Sequence, residues 1–204
     1  MIELKNFKPV NQIGVGGLEL GQREKHYLKQ VIDSNRLSYG PFSRKLEKLF
    51  AELHDCRFAV FCSSGTAALH LALAALKEKY GWKEGDEIIV PAVTFIATSN
   101  IVLHNNMKPV FVDVDPRTYN IDTNLVEAKI TGRTRAIIPV HLLGLPADME
   151  PIWNLAKRYN LKIIEDSCET MFTTYKGRKV GSLGDIGCFS TYIAHFIVAG
   201  IGGL

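Results

Sequence analysis

The chain has 204 residues, 47% apolar and 22% charged, a balance that fits a globular chain and excludes a disordered or fibrous one. Lys and Arg number 24 and Asp and Glu 21, so the formal charge of +3 is too even to mark a nucleic-acid surface. No apolar run approaches the roughly 20 residues of a membrane span, and the charged opening Met1-Ile2-Glu3-Leu4-Lys5 lacks the apolar stretch of a secretory signal. Cys56, Cys62, Cys168 and Cys188 have neither CxxC nor Cys/His metal spacing and read as buried free thiols of a reducing compartment. The expectation is a cytoplasmic protein without metal, membrane or nucleic-acid partner.

Residues 1–17 are expected to form an amino-terminal arm, and a single α/β domain should start at residue 18. Leu20 to Asp33 reads as a charged amphipathic helix. A second helix should open at Pro41, with Phe42, Leu46, Leu49, Phe50 and Leu53 on one face and proline at the favoured first position. Arg57 to Cys62 reads as a short apolar strand, and Gly65 to Tyr80 as a helix apolar on nearly every side. Strands are then expected at 87–91, 109–114, 135–140 and 162–166, and helices at 96–105, 123–129 and 149–159. Continuous apolar strands separated by helices predict a mainly parallel sheet covered on both faces. After Asp166 the pattern turns Gly-rich and ends on an apolar run from Phe196 to Leu204, which reads as a chain cut inside a larger core.

In such a sheet ligands bind beyond the carboxyl ends of the strands. Cys62 leads into Ser63-Ser64-Gly65-Thr66 and a helix, which suits either a phosphate or an ordinary helix cap. Thr94-Phe95 leaves another strand, its aromatic ring a core residue or a stacking platform. Asp166 ends an apolar strand and, if buried, needs a cationic or N–H partner. Ser190 follows the strand-like Gly187-Cys188-Phe189, and His195 sits among apolar neighbours, where imidazole is often just core.

Several strings resemble the DegT/DnrJ-type sugar aminotransferases: Cys62-Ser63-Ser64-Gly65-Thr66-Ala67-Ala68-Leu69, Val90 to Thr98, Pro109 to Asp115, Pro139 to Asp148, Ile164-Glu165-Asp166 and Ser38-Tyr39-Gly40-Pro41. The resemblance runs from about residue 18 to Leu204. It implies the large domain of a fold-type I pyridoxal 5'-phosphate (PLP) enzyme, incomplete and without its small carboxy-terminal domain, from a protein that works as a homodimer with the 65–80 helix close to the interface. It also implies that Ser64, Gly65, Thr66 and Ser190 hold the cofactor phosphate, that Phe95 stacks on the ring, that Asp166 pairs with the ring nitrogen, and that Glu169 lies near the ring hydroxyl, where the family commonly has Gln.

One position departs from the aminotransferases. Their Schiff-base lysine stands five residues after the serine matched by Ser190; here that residue is His195, and Lys179 is the last lysine of the sequence. An imidazole forms no stable imine, so PLP or its amine form, pyridoxamine 5'-phosphate (PMP), is expected to be held non-covalently. The replacement resembles the PMP-dependent dehydratases of nucleotide-linked 4-keto-6-deoxysugars, although Phe196 and Ile201 depart from that subgroup. In that chemistry the amine meets the C4 ketone, His195 moves a proton from the cofactor's methylene carbon, and the C3 hydroxyl leaves; imidazole suits such transfers near neutral pH. The other readings are a sugar aminotransferase and a non-catalytic protein of the same fold. A dinucleotide-binding domain fails on position, since Gly14-x-Gly16-Gly17 follows no strand.

Overall fold

The computed structural model describes residues 16–17 and 19–204, so nearly all of the expected amino-terminal arm lies outside the described residues. The α-helices and strands of the described residues follow one another as α1 (Gln22–Asp33), α2 (Pro41–Leu53), α3 (Gly65–Tyr80), β1 (Glu87–Pro91), α4 (Ala97–His104), β2 (Lys108–Val112), α5 (Thr123–Val126), β3 (Thr134–Ile137), α6 (Met149–Tyr159), β4 (Lys162–Asp166), β5 (Thr174–Tyr175), β6 (Arg178–Lys179) and β7 (Ile186–Cys188). Five strands form one sheet in the order β2-β1-β3-β4-β7, parallel at every pairing. The order reverses between β1 and β3, where such a sheet opens a crevice.

Side-chain alternation explains why both faces are covered. Ile88 and Val90 of β1 point with Ala136 and Ile164 into a core closed by α3 and α4. Their neighbours Ile89, Ile137 and Ile163 point the other way, into a core closed by α5 and α6. Every residue of β1 is buried, as expected of a central parallel strand. Helix α3 stops at Gly81 and α6 at Asn160, both left-handed, with Lys77 and Lys79, and Lys157 and Arg158, in the last turns against the negative helix ends. The α3 helix is less enclosed than its composition predicts: Leu71 is half exposed, while Leu69, Leu73 and Leu76 are buried.

One expected strand is absent. Residues 57–62 form no ladder; only Cys62 pairs, antiparallel to Gly203. A strand needs a neighbour, and the space between this segment and the edge strand β7 is an apolar groove of about 590 Å³ lined by Arg57, Phe58, Val60, Ala72, Ile186 and Phe189 among others. Two further boundaries move by three residues. β3 ends at Ile137 because Pro139 has no N–H to continue the ladder, and pairing resumes only as a single bridge between Val140 and Asp166. The helix expected over 123–129 shortens to α5 and continues as a 3-10 turn over Glu127–Lys129. The β5–β6 hairpin was not expected; its two turn residues, Lys176 and Gly177, both have positive φ, as a tight two-residue turn requires.

At the amino end of the sheet, Asp86 accepts two bonds from the Arg135 guanidinium, at 2.8 and 3.1 Å, and one from the Lys83 N–H at 2.9 Å. The Arg135 hydrogen bonds hold its carboxyl below the usual range against the opposing cost of burial. A depressed folded-state pKa gives stability that is present above the unfolded value and lost as pH falls through the folded one. Asp86→Asn is therefore expected to cost about 1.5–3 kcal/mol at neutral pH. The deficit against wild type should shrink as the pH drops below about 4. Urea unfolding of both proteins at neutral and acid pH measures it, and a deficit independent of pH contradicts the assignment.

Candidate active site

The carboxyl ends of β1, β3, β4 and β7 and the start of α3 surround a cavity of about 370 Å³. Its lining includes Ser64, Gly65, Thr66, Phe95, Asp166, Glu169, Ser190 and His195. All eight residues singled out from sequence thus meet in one place, and the larger groove beside residues 57–62 contains none of them.

Each side chain has an identifiable support. The Ser64 hydroxyl caps α3 by accepting from the Ala67 N–H at 3.1 Å, so the expected cap exists and the first turn of a 16-residue helix opens on the cavity. Gly65 is needed for space: a Cβ there would stand 2.7 Å from Cys168 Sγ and 2.7 Å from Ser190 Cβ. Ser190 is buried, and its hydroxyl accepts from the Tyr192 N–H at 3.2 Å. Phe95 is 68% exposed, which removes the core reading and leaves its ring against the cavity. Glu169 accepts from the N–H of Leu143 at 3.1 Å, in a turn where Leu143 itself is left-handed. His195 is half-buried; its backbone N–H closes a turn onto the Tyr192 carbonyl at 2.9 Å, and its ring lies edge-on to Tyr192 with centroids 6.0 Å apart.

Asp166 is 4% exposed and makes no ion pair with the described residues. It has the N–H partner that its burial demanded, from Cys168 at 3.2 Å, and an unexpected one, the Thr98 hydroxyl at 2.7 Å. Burial pushes the Cys168 thiol beside it well up, with the Asp166 charge adding to the effect, so that thiol is a neutral wall of the cavity. Behind the site, Glu165 is fully buried. It accepts from the N–H groups of Gly181, Leu183 and Gly184 at 2.8, 2.7 and 2.6 Å and faces His141 Nε2 at 3.0 Å. The other ring nitrogen of His141 accepts from the Ala147 N–H at 3.0 Å, so Nε2 carries the hydrogen and donates a hydrogen bond that Glu165 accepts. Sequence reading gave no role to Thr98, His141 or Glu165. The four-residue spacing of Thr94 and Thr98 at a helix start was the available signal for the first; for the other two there was none without the loop that folds back over them.

The chemistry of this lining fits a phosphorylated pyridine. A buried carboxylate without a cation among the described residues is complementary to a ring N–H⁺, a small-residue turn at a long helix's start to a phosphate, and the space kept by Gly65 to close approach.

A profile of the DegT/DnrJ/EryC1/StrS aminotransferase family matches residues 19–204. The chain belongs to that family. GDP-perosamine synthase of Caulobacter vibrioides is 44% identical over 194 residues, covering 95% of this chain and 51% of that protein. The X-ray structure of the aminotransferase from Psychrobacter cryohalolentis is 40% identical with a TM-score of 0.86, over 91% of this chain and 47% of that one. The E. coli GDP-4-keto-6-deoxy-D-mannose-3-dehydratase with bound hydrated PLP is 33% identical with a TM-score of 0.88, over 93% and 49%. The fold is thus that of fold-type I PLP enzymes, and the chain spans about half the length of these relatives. No described helix is long and apolar enough to cross a membrane, and the described residues contain no cluster of three or more potential metal ligands.

Proposed function

We propose that the protein carrying this chain is a nucleotide-sugar enzyme that binds PLP or PMP without a covalent bond and removes the C3 hydroxyl of a nucleotide-linked 4-keto-6-deoxysugar. One observation carries the reading: the side chain that shares the cavity with Asp166 and Ser190 is the imidazole of His195, and the sequence has no lysine after Lys179. When bound, PMP supplies an amine and an electron sink. The start of α3 and Ser190 hold its phosphate, Phe95 covers one ring face, and Asp166 keeps a proton on the ring nitrogen. His195 would serve as the acid–base that accepts a proton and delivers one to the C3 oxygen, which would leave as water; the two electrons that replace the C3–O bond would come from PMP, which would end as PLP and ammonia. The structural likeness to the 3-dehydratase supports this reading.

Amino transfer is the second reading, supported by the higher identity to GDP-perosamine synthase and to the Psychrobacter aminotransferase. The test separates the two. Purified protein is incubated with PMP and a nucleotide-linked 4-keto-6-deoxyhexose, and the sugar is followed by NMR. Loss of the C3 hydroxyl is the expected result; a C4-amino sugar as sole product overturns the dehydratase assignment in favour of amino transfer.

A further inference from the structure

Thr98 sits in the first turn of α4, wholly buried, and does not line the cavity. Its hydroxyl donates to Asp166 Oδ2 at 2.7 Å, and a second hydroxyl, Thr94 Oγ1, lies 2.7 Å from its oxygen. A hydroxyl has one proton, so with that proton donated in a hydrogen bond to Asp166 the Thr98 oxygen accepts from Thr94. The result is a directed chain, Thr94 to Thr98 to Asp166, whose outer member lines the cavity beside Phe95. Hydrogen bonds in such a chain polarise one another, and those ending on a carboxylate are the stronger kind.

The groups around Asp166 leave the chain without a competitor. Its other oxygen takes the Cys168 N–H at 3.2 Å, and its backbone carbonyl takes the His141 N–H at 2.9 Å. No Lys or Arg of the described residues pairs with it. A buried carboxylate free to swing would lose its alignment with a ring N–H; two fixed donors on two different oxygens hold one rotamer.

We propose that Thr98 is the positioning residue of Asp166, and that through Thr94 it links what occupies the cavity's aromatic side to the grip on the ring nitrogen. The proposal rests on the cofactor reading above and adds to it the group that sets how tightly the ring nitrogen is held. Thr98→Val keeps the shape and removes the donor; Thr98→Ser keeps the donor; Thr94→Val removes only the outer link.

The measurements are PLP affinity by equilibrium dialysis and the pH dependence of the bound cofactor's absorbance, neither of which needs turnover. Thr98→Val is expected to weaken PLP binding about ten- to a hundredfold, the range for a hydrogen bond to a charged group, and to shift the absorbance–pH curve. Thr98→Ser should stay within about threefold of wild type. Thr94→Val should fall between them, and it carries the test if circular dichroism shows Thr98→Val unfolded. Binding of inorganic phosphate should be the same in all variants. PLP affinity and absorbance unchanged in Thr98→Val, or in Thr94→Val where that variant carries the test, overturn the proposal; so does an equal loss in Thr98→Val and Thr98→Ser, which means packing rather than the hydroxyl. Wild-type protein that binds neither PLP nor PMP overturns the cofactor reading itself, a result distinct from any of these.

Discussion

Replacing His195 by asparagine is expected to lower the turnover of the 4-keto sugar by about 10²–10⁴-fold, the usual worth of a positioned general acid–base. Asparagine retains a side chain able to hydrogen-bond, but it cannot take and return a proton, so the loss should appear in kcat. Cofactor affinity should stay within a few-fold, because phosphate, ring face and ring nitrogen are assigned to Ser190 and the start of α3, to Phe95 and to Asp166. The half-buried position of His195 and its contact with the exposed ring of Tyr192 make the substitution a small perturbation of packing. Steady-state rates and PLP affinity measured on the same preparation decide it. A variant that turns over within a few-fold of wild type removes His195 from the chemistry, and a variant that loses cofactor and rate together makes it a binding residue.

The largest stability effect is expected behind the cavity. Glu165→Ala deletes the acceptor for three backbone N–H groups and for His141 Nε2; Gly181, Leu183 and His141 are buried and Gly184 is half-buried. Each donor left unpaired in the interior costs about 1–3 kcal/mol, so the sum is expected to exceed about 4 kcal/mol, in the range reserved for broken buried networks. Glu165→Gln should recover only part of this, since an amide offers one acceptor oxygen where the carboxylate offers two. Denaturant unfolding measures both, and a loss below about 1 kcal/mol for the alanine variant shows that the 181–184 loop finds other acceptors. The geometry also predicts where the damage spreads: Glu165 and Asp166 are consecutive on β4, so one strand holds the loop on one side and faces the cavity on the other.

The sheet was legible because its strands are short apolar runs between turn signals, a pattern that survives without knowledge of neighbours. The segment 57–62 carries the same pattern and still forms no ladder, since pairing depends on what lies alongside and not on the residues themselves. The cavity was legible for a different reason. Ser64, Gly65, Thr66, Phe95, Asp166, Glu169, Ser190 and His195 fall in four separate segments of the chain, but strand polarity carries them to one edge, and the family resemblance gave each a role. What stayed hidden depended on side chains meeting across long sequence separations. Thr98 and Asp166 are 68 positions apart, and Glu165 meets the N–H of Leu183 only because the intervening loop folds back. No local period encodes either contact.

The turn that carries Leu143 borders the cavity through Leu142 and Glu169. This residue is 81% exposed and holds a left-handed backbone, φ 51°, that leucine adopts at a cost of about 1 kcal/mol or more. Its N–H reaches Glu169 and the next one, of Gly144, reaches the Thr170 hydroxyl at 3.1 Å, so two fixed acceptors hold the bend against its own preference. A glycine in that place would relax the backbone of a turn whose neighbours Leu142 and Glu169 line the cavity. A looser turn would change the wall made by Leu142 and Glu169 and leave the Thr98 and Cys168 donors on Asp166, so what is admitted could be altered without disturbing the grip inside.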